Sequence, residues 1–538
     1  MDQRNMILAF VLSMAVLLGW GLLFPPPAPA PQTVADNNQL NTQEADPLPD
    51  EAVGPELRPA VSVPGQPVPA TDHAVTSRST ADGKTVTPEE TVFTLSNDVL
   101  QLEINHKGWL TRATLPAYRQ SLAATSEAIA VLEVDESHAM YANSGILGAR
   151  LEKPFTLVKK AAHHILLRGT LDNGHIWQRD ITLSPGSYMI DVEDRIQKGA
   201  GLKMFHQVVE RHPNKESSTF YEHNGPVALL EDKLKEVSYE DLDEAGTIRS
   251  SAIGGWTGIM NRYFISAIIA NRDQDYPYYF KGDGRAYQAG AIDDGQLEGD
   301  TAVFRSRLFI GPKSIPLLET LNVGLERCVD FGWFAVIAKP LHELLLWFYN
   351  YLPNYGLCII LLVLLIKALF FWPTQKSYQS MAGMRKLQPE QNRLKELYGD
   401  DRQKMGQEMM ALYKKHKVNP LGGCLPIIIQ IPVFFALYKV LLMSIEMRQA
   451  PFFAWIHDLS AQDPYFVLPV LMGISMFVQQ RLNPQPPDPI QAKVMQFLPI
   501  MFTVMFLFFP AGLVLYWVVN NVLSIIQQRV VMKGMGVK

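Results

Sequence analysis

One lysine stands inside an otherwise apolar stretch: residues 357–366 before Lys367 and 368–372 after it carry no charge. A lysine at the centre of a bilayer costs roughly 2.5–3.5 kcal/mol on insertion scales, less when its stem carries the ammonium towards the interface. Lys367 lies about 12 residues, or ~18 Å, into a helix beginning near Tyr355, past the midplane of a ~30 Å core. It therefore either snorkels to the nearer face or meets a water-filled cavity between helices. Gln430, Thr503, Asn520, Asn521, Ser524 and Gln527 also fall in or beside apolar segments, where polar groups need partners. Asn520, Ser524 and Gln527 are spaced four and three apart, so they share one helix face. No carboxylate accompanies Lys367 in these segments. Ion relays place carboxylates at depth, so a solute transporter is disfavoured, and no internal repeat supports one. A lone cation in a polar groove instead suits passing contact with an acidic or polar segment of a passenger chain.

No other residues combine into a mechanism. His163, His164, His175, His206, His212 and His223 are scattered through an acidic region with no spacing that carries chemistry. A sugar-binding or isomerase domain there would need a convergent His/Glu pair. His342-Glu343 opens like a zinc-protease helix, but residue 346 is leucine, so the second ligand is missing. No Gly-rich loop ends in Gly-Lys-Ser/Thr, which argues against nucleotide chemistry. Cys358 and Cys424 sit in apolar runs and Cys328 is alone in its region, so no disulfide framework is indicated. Catalytic residues, metal ligands and cofactors are accordingly expected to be absent.

The elements that must position these residues follow from the patterning of the 538-residue chain. Residues 25–330 carry 28 Lys/Arg against 42 Asp/Glu, whereas the rest carries 20 against 11. An acidic middle between basic, apolar ends implies two environments. Residues 6–24 are 19 in number without a charge, long enough to span as an uncleaved signal anchor. A cleaved signal peptide is the rival; Ala28-Pro29-Ala30 imitates its site, but Pro31 follows and the apolar stretch exceeds a usual h-region. Residues 25–90 are rich in Pro, Ala, Asp, Gln and Thr and read as a disordered linker. From 91 the pattern is β: Leu100, Leu102 and Ile104 alternate with Gln101 and Glu103. Turn signals at Asp172-Asn173-Gly174 and Ser184-Pro185-Gly186 predict a large antiparallel sandwich over 91–320, with a charged helix or loop at 231–244.

Beyond it, 321–354 contains an aromatic, amphipathic stretch at 331–349, either an interfacial helix or a lead-in to the next span. A membrane core over 355–530 follows, with spans near 355–373, 420–443, 464–481, 494–510 and 511–530. Pro510-Ala511-Gly512 divides the last thirty apolar residues, too long for one comfortable crossing. Residues 374–418 hold ten Lys/Arg and five acids, 446–463 only one Arg, and the short tail 531–538 is basic. The positive-inside rule then gives six spans, both termini cytoplasmic and the acidic domain outside. Within 374–418, Tyr378, Met381, Met384 and Leu387, then Met405, Met409, Leu412 and Tyr413, recur at three- and four-residue steps. They predict a two-helix hairpin, the second helix capped by Asp400 or Asp401. Its methionine stripe is either an adaptable contact surface or the hairpin's own seam.

The segments 384–389 (MRKLQP), 409–413 (MMALY), 418–432 (VNPLGGCLPIIIQIP), 450–464 (APFFAWIHDLSAQDP) and 509–516 (FPAGLVLY), with Asn520-Asn521, resemble the YidC membrane protein insertases in their long Gram-negative form. The likeness covers about 330–538 strongly and the six-span layout generally. It implies a polytopic α-helical inner-membrane protein, with a five-helix insertase core and an all-β periplasmic supersandwich dispensable for insertion. It implies a non-enzymatic chaperone for nascent membrane proteins, working alone or with the Sec translocon and its accessory subunits. A hydrophilic groove, open to cytoplasm and lipid, is then expected around Lys367, Gln430, Thr503, Tyr516, Asn520 and Ser524. Met381, Arg385, Lys386, Met409 and Tyr413 on the hairpin are expected to meet the ribosome or the signal-recognition receptor. The family's groove cation is usually arginine; lysine at 367 keeps the charge but not the planar fork. The tail stops soon after Arg529, so by the same resemblance ribosome contact passes to the hairpin.

Overall fold

A computed structural model describes residues 93–536, except 136, 216–221, 399–400, 420–424 and 484–488. The anchor expected at 6–24 and the linker at 25–90 therefore lie outside the described residues, as do Gly422 and Gly423. The chain forms two compact units that divide between Val329 and Asp330.

The first unit is a sandwich of two antiparallel sheets, of nine and ten strands. Period-two burial builds it: Gln101–Ile104 alternates exposed and buried, and Ile176–Leu183 half-buried and buried, with Trp177, Arg179, Ile181 and Leu183 turned inward. The turns fall where glycine permits them, with Gly174 at φ 81° between His164–Leu171 and Ile176–Leu183. The charged insertion at 231–244 holds more than a helix or loop. Lys233–Glu236 pairs with Gly225–Leu230 through a two-residue turn in which Glu231 and Asp232 both have positive φ. Helix α1 (Tyr239–Ala245) follows, closed by a capping box between Ser238 and Asp241. The lysines and glutamates hid this short strand because an edge strand tolerates charge.

Arg179 clasps the two sheets. It is 2% exposed and pairs with the fully buried Asp194, Nε to Oδ1 at 2.7 Å and Nη2 to Oδ2 at 3.1 Å. It also donates to the Ser144 hydroxyl at 2.6 Å and the Gly108 carbonyl at 2.8 Å, across the sandwich. Four of the five guanidinium N–H donors are thus used. Helix α2 (Ile315–Thr320) and a 3-10 turn at Leu325–Cys328 end this unit.

The second unit is helical. Helix α3 (Ala335–Tyr351) buries Ala338, His342 and Leu345 and exposes Val336, Trp347 and Tyr351 on its other side. It stops before Pro353, and Asn354 caps the next helix by accepting from the Leu357 amide at 3.0 Å, so the amphipathic stretch is a separate helix. Helix α4 (Tyr355–Leu369) and α5 (Phe371–Lys386) meet at a 69° bend. The apolar run read through Trp372 therefore turns at Phe370. Helices α6 (Gln388–Tyr398) and α7 (Arg402–Lys415) form the hairpin, α7 capped by Asp401 through the Lys404 amide at 3.0 Å. Helices α8 (Leu425–Met443), α9 (Val467–Leu482), α10 (Pro489–Phe506) and α11 (Ala511–Gly534) complete the unit.

Among the described residues, α11 alone is long and apolar enough to cross a membrane, and the bent pair α4 and α5 passes together. Ile429–Met443, Val467–Leu482 and Lys493–Phe506 are shorter apolar helices. The break expected at Pro510 separates α10 from α11. The first amides of α11 are satisfied from a loop, Ala511 N–H by the Ala461 carbonyl at 2.7 Å and Gly512 N–H by Leu459 at 2.9 Å.

Candidate functional site

Lys367 lies two residues before the end of α4, with its stem against α11 and its ammonium donating to the Ser524 hydroxyl at 2.7 Å. Ser524 in turn donates to the Asn520 carbonyl one turn back, at 2.7 Å. The Asn520 side-chain oxygen accepts from the Gln430 amide of α8, and Gln430 also hydrogen-bonds the Tyr516 hydroxyl. Tyr378 of α5 reaches Ser524 as well. Five of the six residues expected to share a groove are therefore linked in one chain, from Lys367 through Ser524, Asn520 and Gln430 to Tyr516. Asn520, Ser524 and Tyr516 are buried, so their polar atoms are spent largely on one another. Gln527 shares their side of α11 and donates to the Phe371 carbonyl at 3.3 Å.

Thr503 stands apart. Its hydroxyl donates to the Pro499 carbonyl of its own helix at 2.7 Å and packs on Gly473 of α9, where a side chain would strike it. Asn521 also turns to α9, donating to Ser475 at 3.0 Å. An aromatic layer of Phe434, Phe506, Phe509 and Trp517 continues from Tyr516, with Phe434 and Trp517 centroids 5.1 Å apart.

Among the described residues no carboxylate lies within ion-pair distance of Lys367. The lysine also lines a cavity of about 540 Å³ between α4, the start of α5 and the second half of α11. Most of that wall is apolar, including Leu364, Phe371, Ile526 and Val530, with Gln375, Gln379 and Gln527 as its polar points. Gln375 and Gln379 were not singled out in the sequence because they follow the apolar run and read as ordinary surface residues. Their four-residue spacing on α5 was the available signal.

The loop 450–464 closes one end of the helical unit. Asp463 is 1% exposed and caps α9, accepting from the Leu468 amide at 2.7 Å, the Tyr465 amide at 3.0 Å and the Trp455 indole at 3.0 Å. Phe452 lies against Gly356, where any side chain would overlap the ring. The Phe452 carbonyl accepts from Asn354 at 2.9 Å.

Met381 and Met409 are buried, but Met381 lies on α5, so the helix expected to begin the hairpin at 378–387 is α5 and the hairpin proper is α6 and α7. Tyr378, Met381 and Met384 cluster with Tyr413, Val418 and Val531, so this part of the stripe is a seam of α5 against the end of α7 and α11. Tyr413 is half-buried at that seam, and Arg385 donates to the Leu482 carbonyl at 3.4 Å. Lys386 is exposed, together with Arg393, Lys395, Lys404, Lys414 and Lys415.

The sandwich does contain histidine–carboxylate pairs. His164 meets Asp180 at 2.7 Å on the open face of the ten-stranded sheet, and His206 is buried in the core. That first pair borders an open hollow of about 560 Å³. A second pair, lining a smaller cavity, uses a histidine without a mechanistic spacing in the sequence: His138 Nε2 lies 3.1 Å from Glu210 Oε1. Its partners are 72 residues apart, and only strand pairing brings them together.

Residues 347–538 match a family model described as "60Kd inner membrane protein", and residues 92–344 match one described as "YidC periplasmic domain". A membrane protein insertase YidC of Magnetococcus marinus is 50% identical over 378 residues, 68% of each chain. Those of Methylococcus capsulatus (43% identical, 80% of this chain and 83% of that one) and Nitrosococcus oceani (38% identical, 98% of both) extend the match. A solved YidC insertase aligns over 81% of this chain and 92% of its own at 17% identity, with a TM-score of only 0.38.

Proposed function

Because the chain belongs to the YidC membrane protein insertases, inner-membrane proteins with a periplasmic domain and no enzymatic step, we propose that Lys367 receives the polar leading segment of each client. The observation that carries this reading is the lysine's setting: its ammonium is held by a serine hydroxyl, faces a cavity and has no carboxylate partner among the described residues. A held but unneutralised cation attracts an acidic passenger. Gln430, Asn520, Ser524 and Tyr516 position it and keep the neighbouring backbone satisfied, whereas Thr503 serves the packing of α10 on α9. The client's apolar segment then passes into lipid, driven by burial worth about 25 cal/mol per Å².

The charge pattern supports six spans with both termini in the cytoplasm, an anchor at 1–24, a linker at 25–90 and the sandwich outside. On that topology the hairpin is cytoplasmic. Its contact with the ribosome or signal-recognition receptor rests on its exposed lysines and arginines, Lys386 among them, with Arg385 and Tyr413 at the margin; Met381 and Met409 hold it in shape. The Sec translocon is the expected companion for larger clients, and the exposed aromatics of α3 suit a membrane surface.

The test is protease protection of two clients that differ only in acidic residues ahead of their membrane segment, in vesicles carrying this chain. Lys367→Arg is expected to insert both normally. Lys367→Ala is expected to lower insertion of the acidic client selectively, by the ~1–4 kcal/mol of a charge pair near 4 Å between water and a protein surface. Equal insertion of both clients by wild type and Lys367→Ala would remove the lysine from the path.

A further inference from the structure

The cavity beside His138 is formed by three chain segments brought to one carboxylate. Glu210 is the next-to-last residue of the strand Met204–Arg211, directly opposite Met140. His138 is presented by a tight turn in which Asp135 accepts from the amides of Ser137 at 2.7 Å and His138 at 2.8 Å. Tyr239 is the first residue of α1, and the Ser238 cap fixes its direction. The Tyr239 hydroxyl donates to one oxygen of Glu210, and His138 Nε2 meets the other at 3.1 Å. Tyr239 is itself held edge-on by Tyr287, ring centroids 4.6 Å apart, whose hydroxyl donates to Asp243 at 2.5 Å.

Met140 stands beside Glu210 on the same sheet, Met260 and Phe264 come from the other sheet, and the cavity holds about 200 Å³. Drug-sized ligands occupy roughly 300–1,000 Å³, so a single small ring is the matching size. An anionic ligand would face the Glu210 carboxylate, and a cation would compete with His138 for it. A neutral ring with hydroxyls on its edge meets neither objection. It can donate to the remaining lone pairs of Glu210 and of the Tyr239 hydroxyl oxygen, with His138 holding the carboxylate in place, and lay its C–H face on the thioethers and the phenyl ring.

We propose that this cavity between the two sheets is a binding site for one neutral, monosaccharide-sized polyol, recognised through His138, Glu210 and Tyr239. The site is independent of Lys367 and of insertion. It has no catalytic role, since the ligand is held by groups already engaged with one another.

The full chain, reconstituted in lipid nanodiscs free of glycoside detergent, is titrated with glucose, galactose and N-acetylglucosamine and followed by saturation-transfer NMR. Glucuronate and glucosamine serve as the charged counterparts. At least one neutral sugar is expected to bind saturably, and Glu210→Gln and Tyr239→Phe are expected to weaken it roughly tenfold or more, the effect of losing a charge-assisted hydrogen bond. Near-UV circular dichroism and client insertion are expected to stay at wild-type level in both variants, which separates lost binding from lost folding. Absence of saturable binding by all three neutral sugars, unchanged affinity in a folded Glu210→Gln variant, or tighter binding of a charged sugar would each overturn the proposal.

Discussion

Arg179 in the sandwich is met by a carboxylate, whereas Lys367 in the helical unit is met by a hydroxyl. Both are partly or wholly withdrawn from water, and both are anchored by hydrogen bonds to a neighbouring element. Asp194 neutralises the arginine, and the Ser144 and Gly108 contacts turn the pair into a clasp between sheets. The lysine lines a cavity and has no carboxylate within ion-pair distance among the described residues. The clasp pairs opposite charges within the fold, while the lysine is held in place by a neutral group, which is the setting the proposed role in client contact requires.

The largest effect should come from breaking the clasp. Asp194→Ala strands the arginine and is expected to cost about 3–5 kcal/mol of sandwich stability, read as lost protease resistance and a lower melting temperature. The double change Arg179→Met with Asp194→Leu should recover most of it, because no charge is left unpaired. Neither should alter client insertion where the domain is still expressed. Next is packing in the helical unit: Gly356→Ala pushes a methyl into Phe452 and is expected to cost about 1–3 kcal/mol, measured as lowered thermal stability in detergent.

Removing the lysine's acceptor should do less. Ser524→Ala takes one hydrogen bond from an ammonium that also faces a cavity, so the expected loss is ~1 kcal/mol. Client insertion should survive, because the charge survives. A collapse of insertion as deep as that of Lys367→Ala would show that position, rather than charge, is what the site needs. The smallest effect is a pH dependence in the sandwich. The hydrogen bond to Glu210 raises the His138 pKa above its ordinary 6.5, against the opposing pull of burial. The stability it contributes is fully present below pH 6.5 and is lost as pH rises through the raised pKa. Melting curves on either side of that window should differ slightly in wild type and not in Glu210→Gln.

Much of this was legible in the chain. The alternation through Leu100, Leu102 and Ile104, the turn at Gly174 and the Asp401 cap are local, and local patterning reports them. Lys367 was visible by its neighbours, and the common face of Asn520, Ser524 and Gln527 by helical spacing. What escaped were matters of partnership. Periodicity places Tyr378, Met381 and Met384 on a stripe, but cannot say whether the stripe meets a partner or the chain itself; the fold packs it against Tyr413, Val418 and Val531. Thr503 has the same polarity as Asn520, yet Pro499 supplies its acceptor from within its own helix. His138 sits in the turn before one strand and Glu210 in another strand, and no local pattern in either announces the other. The bend at Phe370 was likewise hidden, because an apolar run reads the same whether straight or turned.

That bend makes α5 a lever. Its 16 residues reach about 24 Å at ~1.5 Å per residue, so a swing of about 10° at the Phe370 fulcrum carries its far end through roughly 4 Å. Lys367 sits three residues on the other side of the fulcrum, where the same rotation produces a stroke several times smaller. Were the bent pair to turn as one piece, a displacement at the far end of α5 would be geared down before it arrived at the lysine. Tyr378 on the long arm bonds to Ser524, the hydroxyl that also accepts from Lys367 on the short one.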